Sequence, residues 1–136
     1  TIVDNKLSTS GDEAVRKTPI ILGLDEAHRY LAKASGEHSR RIISKFADAA
    51  RQGRKEGLGL FLITQDPQDI DDIVFKQINT RVILNLTNDN AINALNVPKE
   101  YEKRIPYLKK GQMIVYSPDN SDIVEIIVLS KCVVKH

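Results

Sequence analysis

The apolar positions of this chain fall into short unbroken runs separated by amphipathic and polar stretches. Ile20 to Leu24 is a continuous run of apolar residues and glycine, and Leu58 to Thr64 repeats the pattern with Leu60, Phe61, Leu62 and Ile63 in succession. Runs of this length without alternation are the mark of strands buried on both faces. Between them, about Glu37 to Glu56, the residues Ile42, Ile43, Phe46, Ala49 and Ala50 recur at helical spacing and predict a helix with one buried face. Gly57 stands where a left-handed C-cap belongs. Pro67 breaks the chain, and Ile70 to Ile78 predicts a short helix with Ile70, Ile73, Val74 and Gln77 on one side. Arg81 to Leu86 predicts a third strand, and Asn88 to Leu95 a short helix capped by Thr87 or Asn88.

The two ends of the chain read differently. Residues 1–18, with Ser8, Thr9, Ser10, Gly11 and Asp12, read as a loop or flexible tail with room for a short strand at its start. Pro98 to Pro106 is polar and proline-containing, and Gly111 to Tyr116 with Ile123 to Leu129 predicts a hairpin around Ser117-Pro118-Asp119-Asn120. Strands alternating with helices imply right-handed crossovers and a parallel α/β sheet covered on both faces. The terminal hairpin adds an antiparallel edge. The implied division is a leading segment 1–18, a core 19–97 and a C-terminal extension 98–136.

Composition adds bounds. The 136 residues fit one domain, and 41% hydrophobic with 28% charged is ordinary for a globular protein. No run approaches a membrane span, and the first twenty residues carry charges without the apolar core of a signal peptide. One cysteine, Cys132, excludes an internal disulfide and fits a reducing compartment, so a cytoplasmic location is expected. A net charge of +2 does not by itself point to nucleic acid.

Candidate chemistry concentrates at the ends of the two apolar runs. Asp25 and Glu26 follow the first at once. Burying them side by side would cost several kcal/mol unless a cation or partner compensates. Acids at the carboxyl end of a central parallel strand commonly serve a magnesium–nucleotide site: one carboxylate holds the metal through its water shell, the other orients or deprotonates water. The bland alternative is a strand end with solvated acids. Adjacent strand residues point to opposite sides, so the strand must end here if both acids face one cleft. Gln65 follows the second run; if the two strands are neighbours it lies beside Glu26, where an amide can sense a γ-phosphate. Arg51, Arg54 and Lys55 share a helical face; Lys55 is explained by the negative helix end, whereas Arg51 lies close to the buried face and could reach a neighbouring subunit's phosphate. His28 and His38 form no metal pattern with Cys132, and Ser44 and Ser130 have no partner for nucleophilic catalysis.

In order, Leu-Gly-Leu-Asp25-Glu26-Ala27-His28, Ala50-Arg51-Gln52-Gly53-Arg54-Lys55-Glu56-Gly57, Leu62-Ile63-Thr64-Gln65-Asp66-Pro67 and Asn79-Thr80-Arg81-Val82-Ile83 resemble the C-terminal half of a HerA-type DNA-translocating ATPase of the HerA/FtsK group, over roughly residues 19–95. The resemblance implies a partial RecA-like three-layer fold, with ATP and Mg2+ as cofactors. It implies Asp25 as the Walker B metal residue, Glu26 as catalytic base, Arg51 as the arginine acting on a neighbouring subunit's nucleotide, and Gln65 as sensor. It further implies double-stranded DNA as track, a hexameric ring, a role in DNA end processing, a NurA-type nuclease partner and no membrane segment. One departure stands out. The family cradles triphosphate in Gly-x-x-x-x-Gly-Lys-Ser/Thr, and none of the seven glycines here is followed by lysine. The chain therefore reads as the C-terminal part of such an ATPase. The competing expectations are a non-catalytic DNA- or partner-binding remnant, and a conjugation- or secretion-type motor.

Overall fold

The computed structural model describes residues 2–8, 10–33, 35–119 and 123–127. The expectations for Ser130, Cys132 and the far end of the second hairpin strand lie outside these residues. The chain forms two compact units, Thr1–Ile78 and Asn79–His136, so compactness divides it well before the change of pattern near residue 97.

The first unit is built on two parallel strands, β1 (Ile20–Leu24) and β2 (Leu58–Leu62), in register from Ile20 opposite Leu58 to Leu24 opposite Leu62. The helix α3 (Glu37–Gln52) connects them. It buries Ile43, Ala47 and Ala49, while Ile42, counted among its inward positions by spacing, stands 36% exposed. The helix ends at Gln52, and the next residue must be glycine: a Cβ added at Gly53 would lie 2.3 Å from the Ala49 carbonyl oxygen and 2.5 Å from that of Leu58. Gly57, at φ +66, then turns the chain into β2. Two small cores hold this unit. One joins Ala27, Leu31, Ile43, Ala47, Ile70 and Val74, and the other joins Val3, Ala49 and Leu58.

Two expectations fail here. Residues 2–17 are not a loop: they form α1 (Ile2–Leu7) and α2 (Glu13–Lys17), the latter capped by Asp12, whose carboxylate accepts from Val15 N at 3.1 Å. Val3 packs into the core, and Lys6, only 1% exposed, donates through Nζ to the carbonyls of Arg16 and Glu56, each at 2.7 Å. Those hydrogen bonds are what let a charged residue sit inside. The second failure concerns the sheet. Among the described residues it is covered on one face only: Ile20, Leu22, Leu58 and Leu60 pack inward, while Ile21 is 80%, Phe61 56% and Ile63 48% exposed. A continuous apolar run identifies a strand, but not how many of its faces this chain covers.

After β2 come a 3-10 turn at Pro67–Asp69 and the short helix α4 (Asp72–Phe75), where a longer helix was expected. The second unit holds the antiparallel sheet β3–β4–β5, with β3 (Arg81–Ile83), β4 (Gln112–Tyr116) and β5 (Val124–Ile127), so the predicted hairpin is present. β3 pairs with β4, not with the parallel strands. Helix α5 (Asp89–Ala94) is capped by Asn88, whose side chain accepts from Asn90 N at 2.9 Å. The stretch expected to be irregular holds α6 (Lys99–Glu102) and a 3-10 turn at Ile105–Tyr107. Ile105 and Ile114 are fully buried among Ile83, Ile92, Leu95 and Val97. Arg81, in one of the family-like motifs, is a bracket within this unit: its guanidinium donates to the Leu95 carbonyl and lies 5.8 Å from the centre of the Tyr116 ring. Burial lowers its pKa from the usual arginine value.

Candidate functional site

The carboxyl ends of β1 and β2 lie side by side. The ladder continues one step past the strands, with Ile63 N donating to the Leu24 carbonyl at 2.9 Å and Ala27 N to the Ile63 carbonyl at 2.8 Å. β1 stops at Leu24, and Glu26 adopts the left-handed conformation, φ 50 and ψ 46, before a 3-10 turn over Ala27–Arg29. A left-handed non-glycine residue costs on the order of 1–3 kcal/mol and survives only where its surroundings fix it. Ala27, fully buried next door, is one such anchor. The strand thus ends before the two acids, as a cleft shared by both would require. The cost at the acids is therefore backbone strain rather than buried charge, since Asp25 is exposed and the Glu26 side chain is 36% exposed.

Asp25 Oδ1 accepts from Glu26 N at 3.0 Å. Among the described residues it forms no ion pair, and no group of three His, Cys, Asp or Glu could hold a metal. An exposed carboxylate on a turn suits magnesium kept mostly by waters and substrate phosphates, and does not suit a protein-built cage. Glu26 Oε2 lies 3.5 Å from His28 Nε2.

Gln65 emerges at the same sheet edge but is exposed and makes no side-chain hydrogen bond among the described residues. Alternation explains this: Gln65 continues the exposed series Phe61 and Ile63, while Thr64 continues the packed series Leu60 and Leu62. The polar residues that connect to Glu26 do so through His28, a residue that sequence assigned no role at the site. Thr64 Oγ1 lies 2.9 Å from His28 Nδ1 and accepts from Asp66 N at 3.0 Å. Asp66 Oδ2 lies 3.8 Å from His28 Nε2, and Asp66 Oδ1 accepts from Gln68 Nε2 at 3.1 Å. Applying the same parity to the residues after Ile63 would have pointed to Thr64.

Arg51 sits in the last turn of α3, 54% exposed, with its ion pair to Asp48 at 3.6 Å rather than to the acids. It follows the buried Ala47 by one helical turn, yet its side chain reaches out to solvent. Arg54 and Lys55 fall in the turn beyond the helix, so the three cations do not continue one helical face.

The comparisons with known proteins agree with this layout. The Helicase HerA-like C-terminal family model matches residues 4–96. A probable helicase of Methanocaldococcus jannaschii is 29% identical over 123 residues, which are 84% of this chain and 23% of the relative. The DNA double-strand break repair helicase HerA of Pyrococcus furiosus is 29% identical over 102 residues, 71% of this chain and 18% of the relative. The chain thus spans about a fifth of the length of these relatives. Among solved structures, the genome packaging NTPase of Sulfolobus turreted icosahedral virus 2 in complex with ATP-gammaS superposes with TM-score 0.69 at 20% identity, covering 95% of this chain and 72% of that one. VirB4 of Thermoanaerobacter pseudethanolicus gives TM-score 0.68 at 17% identity, covering 88% and 33%. These likenesses establish a mixed α/β fold of the P-loop NTPase kind. No helix among the described residues is long and apolar enough to cross a membrane. With its acids turned out at the end of a parallel strand and a family match that takes in β1, α3, β2 and β3, the chain belongs to the Helicase HerA-like C-terminal family.

Proposed function

We propose that this chain is the hydrolytic part of an ATP-driven DNA translocase or helicase acting in DNA end processing. The observation that carries the reading is the left-handed Glu26, a second acid directly after Asp25 at the carboxyl edge of two paired parallel strands. Ligands of open α/β sheets bind at that edge. A protein that holds an acid there at a cost in backbone strain fits a hydrolytic site better than a non-catalytic remnant.

Asp25 is the residue that would hold magnesium, through water; its Oδ1 already accepts from Glu26 N. Glu26, half-exposed and unencumbered by lysine or arginine among the described residues, orients and deprotonates the attacking water. Gln65 contacts the γ-phosphate or that water from the end of β2. Arg51, at an exposed helix end, serves a neighbouring subunit's site, where a guanidinium offsets charge in phosphoryl transfer. Magnesium-ATP supplies the phosphoryl group and the metal charge; the residues that cradle its phosphates are not in this sequence, which has no Gly-Lys step. The repair helicases among its relatives support DNA as the track, and a ring, hexameric in this reading, follows from the role given to Arg51. A NurA-type nuclease partner and a cytoplasmic location complete the proposal.

In the full-length protein, Glu26→Gln keeps ATP binding and abolishes turnover, measured by filter binding and phosphate release. Turnover at the wild-type rate in that variant overturns the assignment. The isolated 136-residue chain hydrolyses little or no ATP; sustained turnover by it at millimolar magnesium would contradict the half-site reading.

A further inference from the structure

We propose that His28 is a positioning residue that holds the Glu26 carboxylate and ties it to the segment Thr64–Gln68 beyond β2; this rests on the reading of Glu26 as the base. The backbone turn fixes where Glu26 begins but leaves its side chain free to swing. Among the described residues, the ring of His28 is the group that reaches it. That ring is well placed to do so: only 16% exposed, it grows from the 3-10 turn that Ala27 pins to Ile63, just past β2, through its 2.8 Å hydrogen bond.

The hydrogen-bond accounts settle which nitrogen carries a proton. Nδ1 faces Thr64 Oγ1 at 2.9 Å, and Nε2 faces Glu26 Oε2 at 3.5 Å and Asp66 Oδ2 at 3.8 Å. A bare Nε2 would set a lone pair against two carboxylates. Nε2 therefore carries the hydrogen, and in the neutral ring Nδ1 accepts from the Thr64 hydroxyl. That hydroxyl is free to donate, because its oxygen is already oriented by accepting from Asp66 N at 3.0 Å. Asp66 is steadied in turn by Gln68 Nε2. The result is a chain of contacts from Glu26 through His28 to Thr64, Asp66 and Gln68, its first link an ion-pair approach of 3.5 Å and the later ones hydrogen bonds, with Gln65 carried on the same segment. A shift of that segment on engaging nucleotide would pull the ring, and with it the orientation of the base.

The test uses the full-length protein and two amides that divide the ring's functions. An asparagine offers a polar group near the Nδ1 position but does not extend to Nε2, whereas a glutamine reaches the outer position. His28→Asn should lower kcat about a hundredfold, the scale of a catalytic group misplaced by about an ångström, with KM for ATP unchanged. His28→Gln should recover about a tenfold part of that loss, and Thr64→Val should reproduce the kcat loss while Thr64→Ser does not. If His28→Asn turns over like wild type while Glu26→Gln is inactive, the positioning role is wrong and the proposed site stands. If His28→Gln is no better than His28→Asn, or if both variants lose melting temperature and raise KM together, the role is packing and the proposal falls. Wild-type turnover in Glu26→Gln removes the proposed site itself.

Discussion

The left-handed conformation of Glu26 makes a prediction whose sign is opposite to ordinary expectation. Replacing an exposed residue by glycine normally costs about 0.5–1 kcal/mol relative to alanine, through the entropy of the unfolded chain. At φ 50 and ψ 46 the native state of any residue with a Cβ carries a penalty of about 1–2 kcal/mol, which glycine escapes. The difference leaves Glu26→Gly more stable than Glu26→Ala by about 0.5–1 kcal/mol. The side chain itself adds little to that comparison: its contact to His28 is 3.5 Å long and the group is 36% exposed, so removing it costs on the order of 0–1 kcal/mol in both variants. Urea unfolding followed by far-ultraviolet circular dichroism reads the effect. With a slope of about 2 kcal/mol per molar, the midpoint of Glu26→Gly should lie about 0.3–0.5 M above that of Glu26→Ala. The exposed, mid-helical Ser44 provides the control, since there glycine should be the less stable of the pair by about 1 kcal/mol. A Glu26 pair that behaves like the Ser44 pair refutes the strained turn at the end of β1.

Other consequences can be checked on the same chain. Lys6→Met deprives the Arg16 and Glu56 carbonyls of a charged donor and should cost about 2–3 kcal/mol by denaturant titration; a cost under about 0.5 kcal/mol would mean that water replaces the ammonium. Gly53→Ala sets a methyl against two carbonyl oxygens and should destabilise the first unit by more than about 2 kcal/mol, whereas wild-type stability would show that the α3–β2 turn relaxes freely. Arg51→Ala should change stability by less than about 0.5 kcal/mol because its pair with Asp48 is exposed, yet in the full-length protein it should abolish turnover, and mixing it with wild-type subunits should depress activity more than by dilution. Ile21→Thr with Phe61→Ser should reduce self-association in analytical ultracentrifugation, since both side chains lie on the open sheet face; unchanged association places the sticky surface elsewhere.

Sequence carried the architecture where stability is local. The runs Ile20–Leu24 and Leu58–Ile63 read as strands by their shortness, and the spacing of Ile43, Phe46 and Ala50 as a helix, because each pattern serves its own element. It failed where a partner far along the chain decides the outcome. Helices α1 and α2 are too short to be stable alone. They persist because Lys6 reaches the Glu56 carbonyl fifty positions away, a contact no window of local sequence contains. Coverage of the sheet was illegible for a related reason, since Ile21 and Phe61 look alike in sequence whether packed or bare. At the site, Asp25 and Glu26 were found because adjacent acids after an apolar run are unusual. The backbone twist that presents them was hidden, because glutamate has no preference for the left-handed region. His28 was set aside as a metal ligand, and nothing in its sequence neighbours shows that Thr64 stands against its ring.

The buried amine of Lys6 also makes a built-in clock. Acylating reagents modify only amines that water can reach, and this one is reached when α1 lifts off the turn before β2. Its labelling rate, set beside that of an exposed lysine such as Lys17 and read by mass spectrometry, would report how often that clasp opens in the native protein. Because the same turn follows the helix end that carries Arg51, the tempo of one hidden nitrogen would show whether the end of α3 is held still or breathes as nucleotide comes and goes.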